Sequence, residues 1–468
     1  MKATFVIVGG GIAGVTCAES ISFLAPEETV ILITASSLIK AITNIVPLGK
    51  TLFQFDVEER ESSQLSQQHS SITILQDIVC EVNSREKFLK TESGKIVNYQ
   101  KLCLCTGASP RIIAENNPYV LGIRDTESVT NFLEKIKNAR RIVIVGNGGI
   151  ATELVYKIRG IEVIWVIKDK HISATFVDPG AAQFFQDRLQ NKVDNLPTQS
   201  DEVKNFCFKR ARYTTSEEKT KKVGAALGPD WHNFKLTQFP PLPIEIQVKY
   251  ECEVLRITNR VNEEWPVVVE LTNGETVNCD LVISATGVIP NANLPGLEDL
   301  KRGQDGGYLV DWKLTTSQDD IFAAGDVCSA NWDIARHWFQ MRLWTQAHQM
   351  GQYAAKAMVS ITRDEEFYQD FCFEIFTHVT KFFDYKVVLL GLYNGQTLNQ
   401  DYEILLRMTK NQEYVKLILK DGKMQGAVLI GETDLEEMCE NLILNQLDLS
   451  VYGEDLLNPD IDIEDYFD

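Results

Sequence analysis

Thr4-Phe5-Val6-Ile7-Val8-Gly9-Gly10-Gly11-Ile12-Ala13-Gly14 reads as a buried strand over residues 4–8, a glycine turn and the opening of a helix over 12–24. The spacing is G-x-G-x-x-G, and each glycine has a physical task. Gly9 makes the tight turn. Gly11, without a side chain, lets a pyrophosphate reach the backbone. Gly14 lets helix and strand pack closely, and the helix start offers free N–H groups and the positive end of its dipole. Gly9, Gly11, Ala13 and Gly14 are therefore candidate phosphate contacts. A second strand is expected over 29–33.

The same order of events restarts 137 residues further on. An apolar strand, Arg141 to Val145, leads into Gly146-Asn147-Gly148-Gly149-Ile150-Ala151, then a helix, then a strand from Glu162 to Ile167. One supersecondary unit used twice predicts two nucleotide-binding folds with parallel sheets. Gly146, Gly148, Gly149 and Ile150 are the candidates of the second turn. An acid usually ends the second strand of such a unit and holds the adenosine ribose. After the first copy stand Thr34 and Ser36, whose hydroxyls bond a ribose more weakly than a carboxylate. After the second, Ile167 replaces the acid, and Lys168 and Lys170 suit a 2′-phosphate, so NADH and NADPH both remain open.

Three further segments fit this frame. Thr316 to Asp326 delivers Gly325-Asp326 at a strand's carboxyl end, where ligands bind in open sheets. Cys105-Thr106-Gly107-Ala108 and Ala285-Thr286-Gly287 read as strand ends where chain passes between domains.

A formal net charge of -19 argues against direct binding of nucleic acid, whose phosphates it repels. Ten scattered cysteines without zinc spacing suggest a reducing compartment, and six histidines without mutual spacing suggest no metal site. With no apolar run near about 18 residues and no signal-peptide pattern, a soluble intracellular protein is expected. Residues 186–245 lose regularity and are rich in proline, with seven basic and two acidic side chains between Lys204 and Lys222. They read as a partly disordered insertion, either a solvated loop or a docking element. The last 38 residues carry thirteen acids and no Lys or Arg, either a solvated tail or a dock for a basic surface.

Taken in order, these motifs resemble the pyridine nucleotide-disulfide oxidoreductase superfamily over residues 1 to about 360. The resemblance implies an α/β fold. Two interleaved three-layer Rossmann-like domains would bind FAD and NAD(H) or NADP(H), beside a smaller C-terminal α+β domain. The expected boundaries are 1–115 and 286–362 for FAD, 116–285 for NAD(P), and 363–468 for the last domain. It also implies that Asp326 meets the flavin ribitol and that Thr106, Gly107, Arg124, Gly287 and Gly325 border the cofactors. Val8 to Glu19, Asn117 to Thr126, Val145 to Ala151 and the tail Tyr452 to Asp468 match one branch more closely. That likeness implies a cytoplasmic and nuclear protein in a protective redox partnership with the tRNA ligase complex.

One departure matters. Disulfide reductases of the superfamily place Cys-x4-Cys soon after the second strand, and residues 30–79 contain no cysteine. Without a thiolate there is no dithiol relay at that position. By resemblance, Lys50 and Glu153 would pair beside the flavin, the cation favouring arrival of hydride and the carboxylate orienting it. Electrons would then pass to oxygen, a quinone-like acceptor or a protein. A diaphorase with a small-molecule acceptor and a cofactor-gated binding protein with little turnover are the competing readings.

Overall fold

A computed structural model describes residues 1–123, 126–191, 208–214, 246–260, 263–399 and 401–458. The chain forms two compact units. The first is Met1–Ser109 with Ile289–His378, and the second is Pro110–Val288 with Val379–Asp468.

The first unit is built on the strand that opens the chain. Lys2–Val8 lies between Val30–Thr34 and Ile96–Leu104, parallel to both, and Ile72–Gln76 extends the sheet beyond Val30–Thr34. Val30–Thr34 is buried at every position, as expected of a parallel strand covered on both faces. Ile321–Ala323 adds to Ile96–Leu104, so the Gly325-Asp326 turn emerges at the same sheet end as the first glycine turn. Helix Ile12–Leu24 packs on helix Trp344–Thr362. Gly351 allows this approach: a Cβ there would stand 2.4 Å from the Ala13 carbonyl oxygen. The core runs from Phe5 and Ile7 through Leu102 and Cys103 to Tyr353 and Met358. Burial of each large apolar side chain contributes roughly 1.5–3 kcal/mol.

The second unit repeats the plan. Val120–Gly122, Leu281–Ser284, Arg141–Val145, Glu162–Val166 and Ile246–Lys249 form a parallel five-stranded sheet in that order. A three-stranded antiparallel sheet, Val254–Asn259, Val267–Leu271 and Thr276–Cys279, shares its core. The C-terminal part is a six-stranded sheet whose order is Phe208–Thr214, Glu403–Thr409, Glu413–Lys420, Lys423–Ile430, Tyr385–Gly391 and Thr377–Phe382. Helix Glu436–Asn445 packs against it, which gives the α+β character expected there.

The stretch 186–245 is more regular than its composition suggests. Helix Pro179–Asn191 runs into it, and Phe208–Thr214 is an edge strand antiparallel to Glu403–Thr409. The strand's partner lies about two hundred residues away in sequence, so no local pattern announces the pairing. The rest of that stretch, the last ten residues of the acidic tail, and Arg124 lie outside the described residues.

Candidate dinucleotide sites

The two glycine turns are copies in atomic detail. Gly9 and Gly146 both sit at φ +125, where L-residues are strained. A Cβ on Gly9 would lie 2.1 Å from the Cys105 carbonyl oxygen, and on Gly146 the same distance from that of Ala285. Gly11 and Gly148 are the opposite case, with nothing within 4 Å of a Cβ built on either. Each caps its helix in extended conformation without a side-chain hydrogen bond, so the first helical N–H groups face open space. That open, donor-lined cradle beside a closely packed turn fits a pyrophosphate at both places. Gly14 closes the packing behind the first turn, since its Cβ would strike the Gly9 carbonyl oxygen at 1.9 Å. Ala13 is buried beside it.

The remaining candidates of the first unit surround that cradle. Thr34 is buried against Gly10 and donates to the Ser36 carbonyl at 3.1 Å, while Ser36 Oγ accepts from the Leu38 N–H at 3.0 Å. Both hydroxyls thus serve the local turn. Thr106 Oγ1 donates to the Asn291 carbonyl at 2.8 Å, and Asn291 Nδ2 donates back to the Thr106 carbonyl at 2.9 Å. Gly107 is left-handed at φ +68 and accepts from the Asn291 N–H. Asn291 is a residue that motif reading missed. Its only signal is its place after Val-Ile-Pro. Gly325 is left-handed at φ +78 and begins a short 3-10 turn with Asp326. Arg342 steadies that turn, donating from Nε to the Asp326 carbonyl at 2.9 Å and from Nη2 to Asp305 at 2.6 Å.

Lys50 is exposed in a turn closed by the Leu48 N–H on the Leu52 carbonyl. The neighbouring Thr51 carbonyl accepts from Thr377 Oγ1 at 3.3 Å and Gln349 Nε2 at 3.4 Å, which fastens this segment to the last helix of the unit. His348 and His378 stand beside it, on Thr16 and Thr345 respectively. Burial lowers both, His378 to about 4, so both rings are neutral at pH 7. Neither histidine was singled out by sequence, because only folding brings them to this segment.

In the second unit, Asn147 lies inside the glycine turn and clamps the loop after strand Glu162–Val166. Its Nδ2 donates to Asp169 and to the His171 carbonyl, both at 2.9 Å, and its Oδ1 accepts from the Ser173 N–H at 2.5 Å. Trp165, fully buried, donates from Nε1 to the Gly146 carbonyl at 2.7 Å and so ties the turn to its strand. Lys168 and Lys170 are exposed on the loop. A Cβ on Gly149 would touch Phe176 and Phe382 at ordinary contact distances, and Ile150 is exposed. Glu153 is exposed and pairs with Lys157 at 3.5 Å along the helix. Gly287 is left-handed at φ +105, and its carbonyl accepts from the Arg111 N–H. Lys50 and Glu153 belong to different compact units.

Every described cysteine is a free thiol. Cys103 and Cys105 face one side of their strand with Sγ atoms 3.6 Å apart. The Cys103 contact and burial push the Cys105 thiol well up, and burial does the same to Cys328 beside the Gly-Asp turn. Among the described residues no group of three or more His, Cys, Asp or Glu is placed to hold a metal. No described helix is long and apolar enough to cross a membrane.

Two glycine turns of one geometry, each following a parallel-paired strand and opening a helix, define the two-dinucleotide class of oxidoreductase folds. The family model for pyridine nucleotide-disulphide oxidoreductases matches residues 3–224 and 244–351, and the chain belongs to that family. Residues 379–447 match the C-terminal domain of rubredoxin NAD+ reductase. The rat protein called pyridine nucleotide-disulfide oxidoreductase domain-containing protein 1 is 50% identical, over 99% of this chain and 98% of its own. The Drosophila melanogaster protein of that name is 47% identical, over 100% and 99%. The water-forming NADH oxidase from Lactobacillus brevis shares the fold, with a TM-score of 0.67 at 16% identity over 98% of this chain and 93% of that one. The cofactors of the family, and of this chain, are FAD and NAD(P)H.

Proposed function

We propose that the chain is an FAD-dependent NAD(P)H oxidoreductase that works without the dithiol for which its family is named, and hands electrons to an acceptor from outside the chain. The observation that carries this is the pair of matched cradles together with a segment, 30–79, that holds no cysteine. Bound FAD supplies the hydride acceptor and NAD(P)H the hydride. The chain's own residues bind and orient. The N–H groups after Gly11 and Gly148 take the pyrophosphates, and the Gly325-Asp326 turn, braced by Arg342, presents a carboxylate to the ribitol. The Lys50 ammonium would favour negative charge on the reduced ring. The buried thiols of Cys103, Cys105 and Cys328 are held protonated, so none is poised as a nucleophile.

The acceptor is a small oxidant or a protein. Kinship with the branch matched at about half identity supports the second, a protective partnership with the tRNA ligase complex in cytoplasm and nucleus. The absence of cysteine from residues 30–79 also favours a long-lived reduced state that gates partner binding. An anaerobic absorbance titration of the purified protein with NADH and NADPH tests the core reading: flavin bleaching or a charge-transfer band supports it, and a colourless protein or an inert spectrum refutes it. Rapid turnover with oxygen or a quinone favours the diaphorase. Slow turnover with cofactor-dependent capture of the ligase complex favours the gated partner. Lys50→Met is expected to slow flavin reduction at least about tenfold in stopped flow, since removing one preorganised charge typically costs that much or more; an unchanged rate removes Lys50 from the mechanism.

A further inference from the structure

Lys416 lies in the middle of strand Glu413–Lys420 and is entirely buried, a position that an apolar residue would ordinarily take. Its Nζ donates to Asp178 Oδ2 at 2.6 Å and to Asn394 Oδ1 at 2.8 Å. Tyr414, on the same face two residues earlier, donates to Asp178 Oδ1 at 2.9 Å. Asp178 in turn accepts from the N–H groups of Gly180 and Ala181 and caps helix Pro179–Asn191. The carboxylate thus accepts from four donors, two side chains of the C-terminal sheet and two N–H groups of the helix it caps.

Asp178 ends the loop that begins at Ile167 beside the second glycine turn. The loop is cross-braced throughout. The Asn147 side chain holds Asp169, His171 and Ser173, and Ser173 is kept left-handed at φ +56. His171 Nε2 lies 3.1 Å from the Val177 carbonyl, and Thr175 Oγ1 donates to the Asn147 carbonyl at 3.2 Å. Tyr393 of the C-terminal part donates to the Thr175 carbonyl at 3.3 Å. Phe382, where the sheet meets the turn, lies against Gly149. The C-terminal sheet therefore grips the loop at Thr175 and Asp178, while the glycine turn grips its other end. A buried ion pair is seldom more stable than an apolar pair of the same shape, so stability alone gives little reason for Lys416. A left-handed non-glycine residue persists only where its surroundings over-determine it, which this bracing does.

We propose that the C-terminal sheet sets the affinity for NAD(P)H, with Lys416 and Tyr414 as positioning residues that hold the 167–178 loop against the 146–151 turn. This rests on the reading that the second turn receives NAD(P)H. Neither residue touches the dinucleotide. They fix the carboxylate that anchors the loop, and the loop fixes the rim on which the adenosine end lies.

The test uses the full-length, FAD-loaded protein and anaerobic titrations with NADH and with NADPH. Lys416→Met is expected to raise both dissociation constants about tenfold, and Tyr414→Phe about threefold, less than the full loss of a hydrogen bond to a charged group because both act through the loop. Flavin content and the limiting rate of flavin reduction at saturating nucleotide stay at the wild-type level. A merely structural role lowers the thermal midpoint and leaves the dissociation constants alone, and that result overturns the proposal. If Lys416→Met fails to fold, Tyr414→Phe and Tyr393→Phe decide, each removing one hydroxyl; wild-type affinity in both overturns it. A wild-type protein that binds neither nucleotide refutes the functional reading instead.

Discussion

Gly9 and Gly11 stand two residues apart and answer to opposite constraints. Gly9→Ala puts a Cβ 2.1 Å from the Cys105 carbonyl oxygen at a φ of +125. It is expected to destabilise the first unit by at least about 3 kcal/mol, read as a lost or much lowered urea midpoint. Gly11→Ala adds a Cβ with nothing within 4 Å, at an ordinary extended φ of -78. The flavin-free protein should therefore unfold where wild type does, yet retain little FAD through purification. Equal FAD retention by the Gly11 variant would show that phosphate does not approach there. His378 gives a pH dependence of known sign. Its folded pKa is lowered from 6.5 to about 4 by burial, so the folded state prefers the neutral ring. Its contribution is complete above the unfolded value and is lost as pH falls from 6.5 towards 4, about 2 kcal/mol by pH 5. Urea midpoints at pH 7 and pH 5 should fall less in His378→Gln than in wild type.

Between elements, the approach of helix Trp344–Thr362 to helix Ile12–Leu24 decides whether the first cradle keeps its shape. Gly351→Ala would press a methyl into the Ala13 backbone, with carbonyl oxygen at 2.4 Å and Cα at 3.0 Å. Since Ala13 belongs to the G-x-G-x-x-G turn, the strain falls on the turn proposed to receive FAD. The expected cost is about 1–3 kcal/mol of stability and weaker FAD retention. Thermal midpoints of the flavin-free protein and FAD dissociation constants check both, and neither changing would mean the helices part freely. Helix Ile12–Leu24 and strand Val30–Thr34 were legible because each is a local run with its own period or continuous burial. The edge strand Phe208–Thr214 was not, because its stability comes from a distant partner.

On the scale of the molecule, the nucleotide fold of the second unit and the C-terminal sheet belong to one compact body, distinct from the first. Each unit owns one cradle, so ligands should stabilise them selectively. Unfolding followed by hydrogen exchange should show peptides 141–145 and 385–391 losing protection together, and peptide 2–8 separately. NADH at about a hundred times its dissociation constant should add about 2.7 kcal/mol to the second unit's transition, and FAD should act on the first. A single transition shifted equally by either ligand would contradict this division.

By itself the sequence determined the two strand–turn–helix units, their glycines, the Gly-Asp turn and the missing dithiol. Each is written in consecutive residues whose backbone conformation or side-chain chemistry permits few alternatives. Tertiary structure alone decided that Asn291 locks Thr106, that Thr51 is fastened by Gln349 and Thr377, and that Lys416 reaches Asp178 across 238 residues. A lysine amid apolar strand residues signals a buried partner without naming it. The partner is chosen by how the sheet packs, because a buried charge is tolerated only where the fold brings an opposite one within hydrogen-bond reach.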